Sequence, residues 1–163
     1  MKGPTVSHLD APPLTLTAAG STAEPTRAAA LKWVVVLDDT LPRGRQVNAA
    51  VCIAAATGVR VEGLLGPDAT DADGHVHPGL PWAGVSILGA SGEQIAALRD
   101  RVNGSSTVLV VDMPEAAQTS RVYDEYRSRV AETASTELNN LAIGLIGPRT
   151  DVDKLVKRLP LLD

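Results

Sequence analysis

Residues 31–39 read Leu-Lys-Trp-Val-Val-Val-Leu-Asp-Asp, a largely apolar run, rich in valine, that stops at two carboxylates. An apolar run of this length is typical of a strand that is buried on both faces of a sheet. After Gly44, the stretch from Gln46 to Thr57 is rich in Ala and Val, with Val47, Ala50, Val51 and Ala54 at helical spacing. The order strand, tight loop, helix predicts the first unit of an α/β sheet.

The same alternation continues to the end of the chain. Apolar runs at residues 84–88, 107–111 and 141–146 predict three further strands, and residues 115–134 predict one long polar helix. Ser91 and Gln94 have the spacing of a capping box at the start of another helix. We therefore predict an α/β fold, a three-layer sandwich with a mixed, mostly parallel central sheet of about four strands and helices on both faces.

Length and composition indicate one domain. The chain has 163 residues and 44% apolar side chains, which is enough material for a single continuous core. Residues 1–30 are rich in small and polar side chains without apolar periodicity, so we predict a flexible tail there and a single domain over residues 31–163.

Charge and hydropathy exclude several classes of partner. The net charge is -4 and the basic residues are scattered, so we do not expect nucleic acid as a partner. No stretch of about 18 apolar residues and no signal-peptide pattern occurs, and we expect a cytoplasmic protein without a membrane partner. The single cysteine, Cys52, has apolar neighbours, which predicts a buried and unreactive thiol.

Several short patterns carry a resemblance to a known family. These patterns are Val-Val-x-Asp-Asp at 35–39, an Asn at 48, Tyr-x-x-Tyr at 123–126 and Leu-x-x-Leu-x-Ile-x-x-x-Gly at 138–147. They resemble the domain-of-unknown-function family two thousand, among relatives of bacterial peptidyl-tRNA hydrolase II. The resemblance covers roughly residues 31–162 and implies a peptidyl-tRNA hydrolase II-like domain.

The departures from the hydrolase pattern concern its catalytic residues. Hydrolases of that type begin their first helix with the motif Gly-Lys-x-Ala-Ala-Gln-x-x-His-Ala. The corresponding residues of this chain, from residue 44, are Gly-Arg-Gln-Val-Asn. Arg45 keeps the positive charge of the lysine, but a guanidinium does not exchange protons near neutral pH. Residues 136–140 also lack the aspartate and the glycine of the hydrolase loop. We therefore do not expect peptidyl-tRNA hydrolysis itself.

Polar residues around the first strand and helix predict a site. Asp38 and Asp39 follow the strand, at the sheet edge where α/β proteins bind ligands. Arg45 and Asn48 are three apart and share a helix face. We expect Asp38, Arg45 and Asn48 to bind substrate in a hollow shared with Asp39, which acts there as a general base or, in the alternative, accepts hydrogen bonds within its turn.

The segment Asp71-x-Asp73-x-His75-x-His77 places four metal-capable side chains at alternating positions. The glycines and proline around it indicate an irregular backbone, and we expect neither a metal nor another cofactor. His75 or His77 is instead expected to act as a catalytic proton carrier.

Tyr123 and Tyr126 are three apart and are predicted either to line the rim of the cleft and bind substrate or to pack in the core. The leading hypothesis is an enzyme that applies acid-base chemistry to a small acyl, amide or amino-acid-like molecule, with Asp39, Asn48 and a histidine as its polar centre. Two alternatives are a ligand- or partner-binding module without turnover and an aminoacyl or peptidyl ester hydrolase with relocated residues. The sequence also allows the protein to form a homodimer.

Overall fold

The computed structural model describes residues 16–18, 20 and 22–163. In chain order the strands are β1 (Leu16–Thr17), β2 (Leu31–Asp38), β3 (Val61–Glu62), β4 (Ala69–Thr70), β5 (Val76–His77), β6 (Ser86–Ala90), β7 (Leu109–Pro114) and β8 (Asn140–Pro148). The helices are α1 (Arg43–Arg60), α2 (Gly92–Val102), α3 (Glu115–Thr119), α4 (Tyr123–Glu132) and α5 (Arg149–Val156), with a short 3-10 helix at Thr26–Ala28.

The central sheet has four strands in the order β6-β2-β8-β7. Strand β2 lies inside the sheet, as its apolar run predicted, and residues 33–37 are buried. Only the β2-β6 pair is parallel, because β8 runs antiparallel to both β2 and β7. The prediction of a mixed sheet of four strands is confirmed, and the prediction that it is mostly parallel is wrong.

The connection from β7 to β8 explains the antiparallel strand. Pro114 at the end of β7 pairs with Asn140 at the start of β8, and the Glu115 amide donates to the Asn139 carbonyl at 2.8 Å. The intervening residues therefore leave and re-enter at the same end of the sheet. A connection of this kind returns the chain in the opposite direction, as a hairpin does, whatever helices it contains.

Alternate side chains of β2 enter two separate hydrophobic clusters. Trp33, Val35 and Leu37 belong to the cluster that contains Ala49 and Ile53 of α1. The other cluster joins the remaining buried valines of β2 to α2 and α5; its members include Val34, Val36, Ile95, Leu98, Val152 and Val156. Each fully buried Val, Leu or Ile contributes about 1.5–3 kcal/mol to folding, so these two clusters hold the helices against the sheet.

The buried face of α1 differs from the predicted one. Gln46, Ala49, Ile53 and Thr57 point inward. Val47 and Val51, which the sequence pattern placed in the apolar stripe, are 62% and 61% exposed. The helix has small side chains on all sides, so its composition alone did not define which face is buried.

Of two helical predictions within residues 91–134, one is confirmed and the other is wrong. The Ser91–Gln94 capping box is confirmed, since each residue's side chain accepts from the other's backbone amide. The single helix predicted over residues 115–134 is instead split into α3 and α4 by extended backbone at Ser120 and Val122. Arg129 donates to the hydroxyl groups of Thr119 and Ser120, which holds this break in place.

Part of the predicted tail contacts the rest of the chain. Strand β1 pairs in parallel with β3, and Arg149 donates from its backbone amide to Ala30 and from its side chain to Ala29. Residues 1–15, 19 and 21 of the predicted tail lie outside the described residues. Among the residues that are described, no helix combines the length and the apolar character that a bilayer crossing requires.

Candidate functional site

A cleft of about 600 Å³ lies between α1, β7 and the α3-α4 segment. We call it the α1-α4 cleft. Its floor is apolar and includes Ile53, Val111 and Met113. Alternation along β7 places Val111 and Met113 on the same side of that strand, toward α1. Its other lining residues are Asn48, Cys52, Ala55, Ala56, Asp112, Ala117, Ser120, Arg121, Val122, Tyr123 and Tyr126.

A hydrogen-bonded cluster beside the cleft fixes Asn48. The Gln118 side chain of α3 donates to the Asn48 Oδ1 at 3.0 Å and to the Arg45 carbonyl at 2.9 Å. In return Gln118 Oε1 accepts from Arg45 Nε at 2.7 Å, and Glu115 lies 3.8 Å from the same guanidinium. The structure thus brings Arg45 and Asn48 together. Because the oxygen of Asn48 is engaged, its two N–H donors are the groups that can reach a ligand.

Tyr123 and Tyr126 both line the cleft, with ring centroids 5.4 Å apart and planes inclined by 58°. Burial raises the pKa of the Tyr126 phenol, and the neighbouring Tyr123 and Asp112 raise it further. The Tyr126 hydroxyl is therefore neutral at physiological pH and both donates and accepts hydrogen bonds. Tyr123 is 75% exposed, so the hypothesis of core packing does not hold for this ring.

Asp38 and Asp39 do not line the α1-α4 cleft. Asp38 Oδ1 accepts from the amide and the hydroxyl of Thr40, so this carboxylate stabilises the turn after β2. Asp39 is exposed and lines a separate cavity of about 390 Å³ with Gln46 and Leu162. The expected hollow shared by both acids and Asn48 is therefore not present.

The buried amide of α1 is Gln46, which the sequence interpretation missed. Its Nε2 donates to the Asp38 carbonyl at 3.0 Å, while Asn48 is exposed at the helix surface. The spacing of residues 46, 49 and 53 could have identified this face. It follows one side of a helix as closely as the stripe that contains Val47 and Val51 does.

His75 and His77 lie on the β4-β5 hairpin and do not line the cleft. Asp71 Oδ1 accepts from the amides of Asp73 and His75, and Asp71 Oδ2 lies 3.2 Å from His75 Nδ1 and 3.3 Å from His77 Nε2. Hydrogen bonds, first of all the His75 amide, lower the pKa of Asp71. The imidazoles are 75% and 61% exposed, so the predicted polar centre with Asp39 and Asn48 is not assembled.

Two further cleft residues differ from the sequence-based expectation: Cys52 was expected to be buried, and Asp112 was not expected in the site. Cys52 is exposed on the cleft wall, which corrects the prediction of a buried thiol, because it shares the outer side of α1 with Asn48. Asp112 accepts from Arg99 Nε at 2.8 Å, and its other oxygen is buried without a hydrogen-bond partner among the described residues. Its position directly after an apolar run was the available signal.

Comparisons with known proteins agree with the sequence patterns. A family model described as a protein of unknown function, DUF2000, matches residues 31–163. The solved structure of Atu0240, a protein of unknown function from Agrobacterium tumefaciens strain C58, is similar with a TM-score of 0.73 at 16% identity, over 81% of this chain and 97% of that chain. At this identity the likeness concerns the fold alone. No curated protein matches the chain. Since the family model spans most of its length, the protein belongs to the DUF2000 family.

Proposed function

We propose that the α1-α4 cleft is the functional site and that it binds a small molecule with an acyl or amide carbonyl group. The observation that carries the proposal is the fixed orientation of Asn48 above an apolar floor. Gln118 holds the amide oxygen at 3.0 Å, so the N–H donors of Asn48 are directed to other partners. Pockets that combine an apolar lining with a few oriented polar groups are typical of small-molecule sites.

The other polar groups of the cleft suit the same class of compound. Arg121 supplies a cation at the cleft wall, where it can pair with a carboxylate such as that of an amino-acid-like ligand. The neutral Tyr126 hydroxyl can donate to or accept from a carbonyl or an amide of the ligand. The apolar floor accommodates the acyl chain or side chain.

Binding without turnover is the function that we favour. The acid-base groups expected from the sequence, Asp39 and the two histidines, are not lining residues of the cleft. An acid-base enzyme that acts on the same class of compound is a second candidate. It is favoured by the half-buried Tyr126 phenol, whose O–H group can donate a proton to a ligand in the same cleft.

We infer further that the scaffold is a three-layer sandwich of the peptidyl-tRNA hydrolase II-like type. In support, α1 packs in one hydrophobic cluster with alternate residues of β2, while α2 and α5 pack in the other. The position of Arg45 at the start of α1 supports the same inference, since it occupies the place of the hydrolase lysine.

The proposal is tested by ligand-induced thermal stabilisation with N-acetyl amino acids and their amides. A ligand at ten times its Kd stabilises the folded state by about 1.4 kcal/mol, which raises the Tm of a chain of this size by about 3–6 °C. Ala56→Trp, which fills the cleft from its exposed wall, should abolish the shift. Val59→Trp is the matched control, because Val59 is 84% exposed on the same helix and is not a lining residue.

Asn48→Ala should reduce the shift, and Asp39→Asn should leave it unchanged. Equal stabilisation of the wild type and Ala56→Trp would place the ligand elsewhere, and no stabilisation by any of these compounds would reject the ligand class. Mass spectrometry of the incubated compounds separates the two candidates, since unchanged compound supports binding and a product supports the enzyme.

A further inference from the structure

The turn between β4 and β5 is shaped by one carboxylate. The Asp71 amide donates to the His75 carbonyl at 3.0 Å, and the Gly74 amide donates to the Asp71 carbonyl at 3.1 Å. Gly74 has a φ of +87°, which a residue with a side chain rarely adopts. Because Asp71 Oδ1 is occupied by two backbone amides, the carboxylate cannot rotate freely, and Oδ2 faces the two imidazoles.

Three potential ligands converge on this point, and a fourth lies beside one of them. Asp71, Asp73 and His75 each offer one ligand atom, and these atoms lie within 4.8 Å of one another. His77 adds its Nε2 at 3.3 Å from Asp71 Oδ2, close to the 3.2 Å that separates the same oxygen from His75 Nδ1. Bonds of 2.0–2.1 Å in a tetrahedral zinc site imply about 3.3 Å between neighbouring ligand atoms. The two separations are compatible with neighbouring ligands of one such ion, and they are also the hydrogen-bond distances of the metal-free turn.

We propose that this turn binds one divalent transition-metal ion, Zn²⁺ by the nature of its donors, through Asp71, Asp73 and His75, with His77 completing the set. Two imidazole nitrogens and carboxylate oxygens suit Zn²⁺, whereas Mg²⁺ and Ca²⁺ require oxygen ligands throughout. The glycines and proline of this segment were the reason not to expect a metal. The backbone that they allow is the tight turn that brings the ligands together.

Binding would add a link at the exposed tip of the hairpin. Residues 69–77 are exposed, and the two arms that carry them are joined to each other through the Leu65-Pro81 bridge and the bond from the Gly79 amide to Asp68. An ion that links both strands and the turn lowers the number of conformations open to this segment. The site is separate from the α1-α4 cleft, so it neither requires nor tests the proposed ligand.

Untagged, chelator-treated protein is titrated with Co²⁺ and then with Zn²⁺. We expect one Co²⁺ per chain with the strong visible absorption of four-coordinate cobalt, displaced by one equivalent of Zn²⁺. His75→Ala and His77→Ala should each weaken binding by at least about 10-fold, since even the loss of an outer-shell partner costs about 10–100-fold. His8→Ala, which removes the third histidine of the chain, is the control and should bind as the wild type does.

Hydrogen exchange gives a second readout, since Zn²⁺ should slow exchange of the Asp71 and Gly74 amides, which donate within the turn, in the wild type and in neither hairpin variant. Unchanged melting temperatures of the metal-free variants would show that they fold, as expected for exposed side chains. Absence of Co²⁺ and Zn²⁺ binding in the wild type would overturn the proposal, as would full affinity in His75→Ala and His77→Ala. Loss of binding in His8→Ala alone would also overturn it.

Discussion

Ile53 of α1 occupies the space that a side chain on Gly144 of β8 would need. A Cβ added at Gly144 would meet Ile53 Cγ2 at less than contact distance, and the branched Ile side chain has little freedom to turn away. The absence of a side chain at one position of a central strand therefore sets how closely α1 approaches the sheet.

Gly144→Ala is expected to lower the free energy of unfolding by about 1–3 kcal/mol, the usual cost of forcing an additional methyl group into a packed core. Urea denaturation followed by circular dichroism measures it. Gly58→Ala is the control, because nothing lies within 4 Å of a Cβ at that helical position. This second variant should gain about 0.5–1 kcal/mol, since Gly is a poor helix former. Equal effects of the two substitutions would show that Ile53 does not crowd Gly144.

Arg99→Met should destabilise the protein by about 1–3 kcal/mol. It leaves the Asp112 carboxylate without its partner in a position where one of its oxygens is already buried and unpaired among the described residues. Arg127→Met removes the partner of Asp124 in a pair whose side chains are 70% and 84% exposed. The change in the second variant should stay within about 0.5 kcal/mol. Similar losses in both variants would contradict the distinction.

The raised pKa of Tyr126 predicts that the free energy of unfolding falls at alkaline pH. Its pKa is raised in the folded state, whereas tyrosine in an unfolded chain ionises near pH 10. The unfolded state therefore releases its proton first, and the contribution of Tyr126 is complete below about pH 10 and is lost as the pH rises through the folded pKa. Tyr126→Phe should flatten this alkaline decline in the free energy of unfolding.

The titration itself can be observed in Tyr123→Phe, where Tyr126 is the only tyrosine left. Its absorbance should change with a midpoint above that of the same variant in denaturant, since burial is the largest cause of the shift. Coincident midpoints would contradict the prediction.

Cys52 should react with a thiol reagent in the native protein, one equivalent per chain and without denaturant, because the side chain is exposed. Ala56→Trp, which fills the cleft beside it, should slow the reaction, and Val59→Trp should not. Measuring the rate of thiolate release at constant pH checks both statements. If the thiol reacts only after unfolding, Cys52 is buried in the native protein and the prediction is wrong.

The central elements of the fold could be predicted where composition and period agree. The run through Trp33 to Leu37 is apolar at every position and rich in valine, which is typical of a strand inside the sheet, where β2 lies. Ser91 and Gln94 likewise act within one helical turn, so their capping box depends on no distant contact. Patterns of this kind depend on residues that are close together in the sequence, so they can be recognised without the structure.

The site could not be predicted because distant contacts decide it. Whether Gln46 or Val47 points inward depends on the sheet surface that receives α1, including the missing side chain at Gly144. The partner of Asn48 is Gln118, 70 residues away in the chain. The separation of Asn48 from Asp39 follows from the same orientation of α1, which no spacing between neighbouring residues specifies.

The position of β8 between β2 and β7 has a consequence for biosynthesis. A nascent chain that has left the ribosome only as far as residue 139 has two hydrophobic strands whose shared neighbour has not yet emerged. Their unpaired edges are templates for pairing with other chains. We expect the sheet to close only after β8 has been translated.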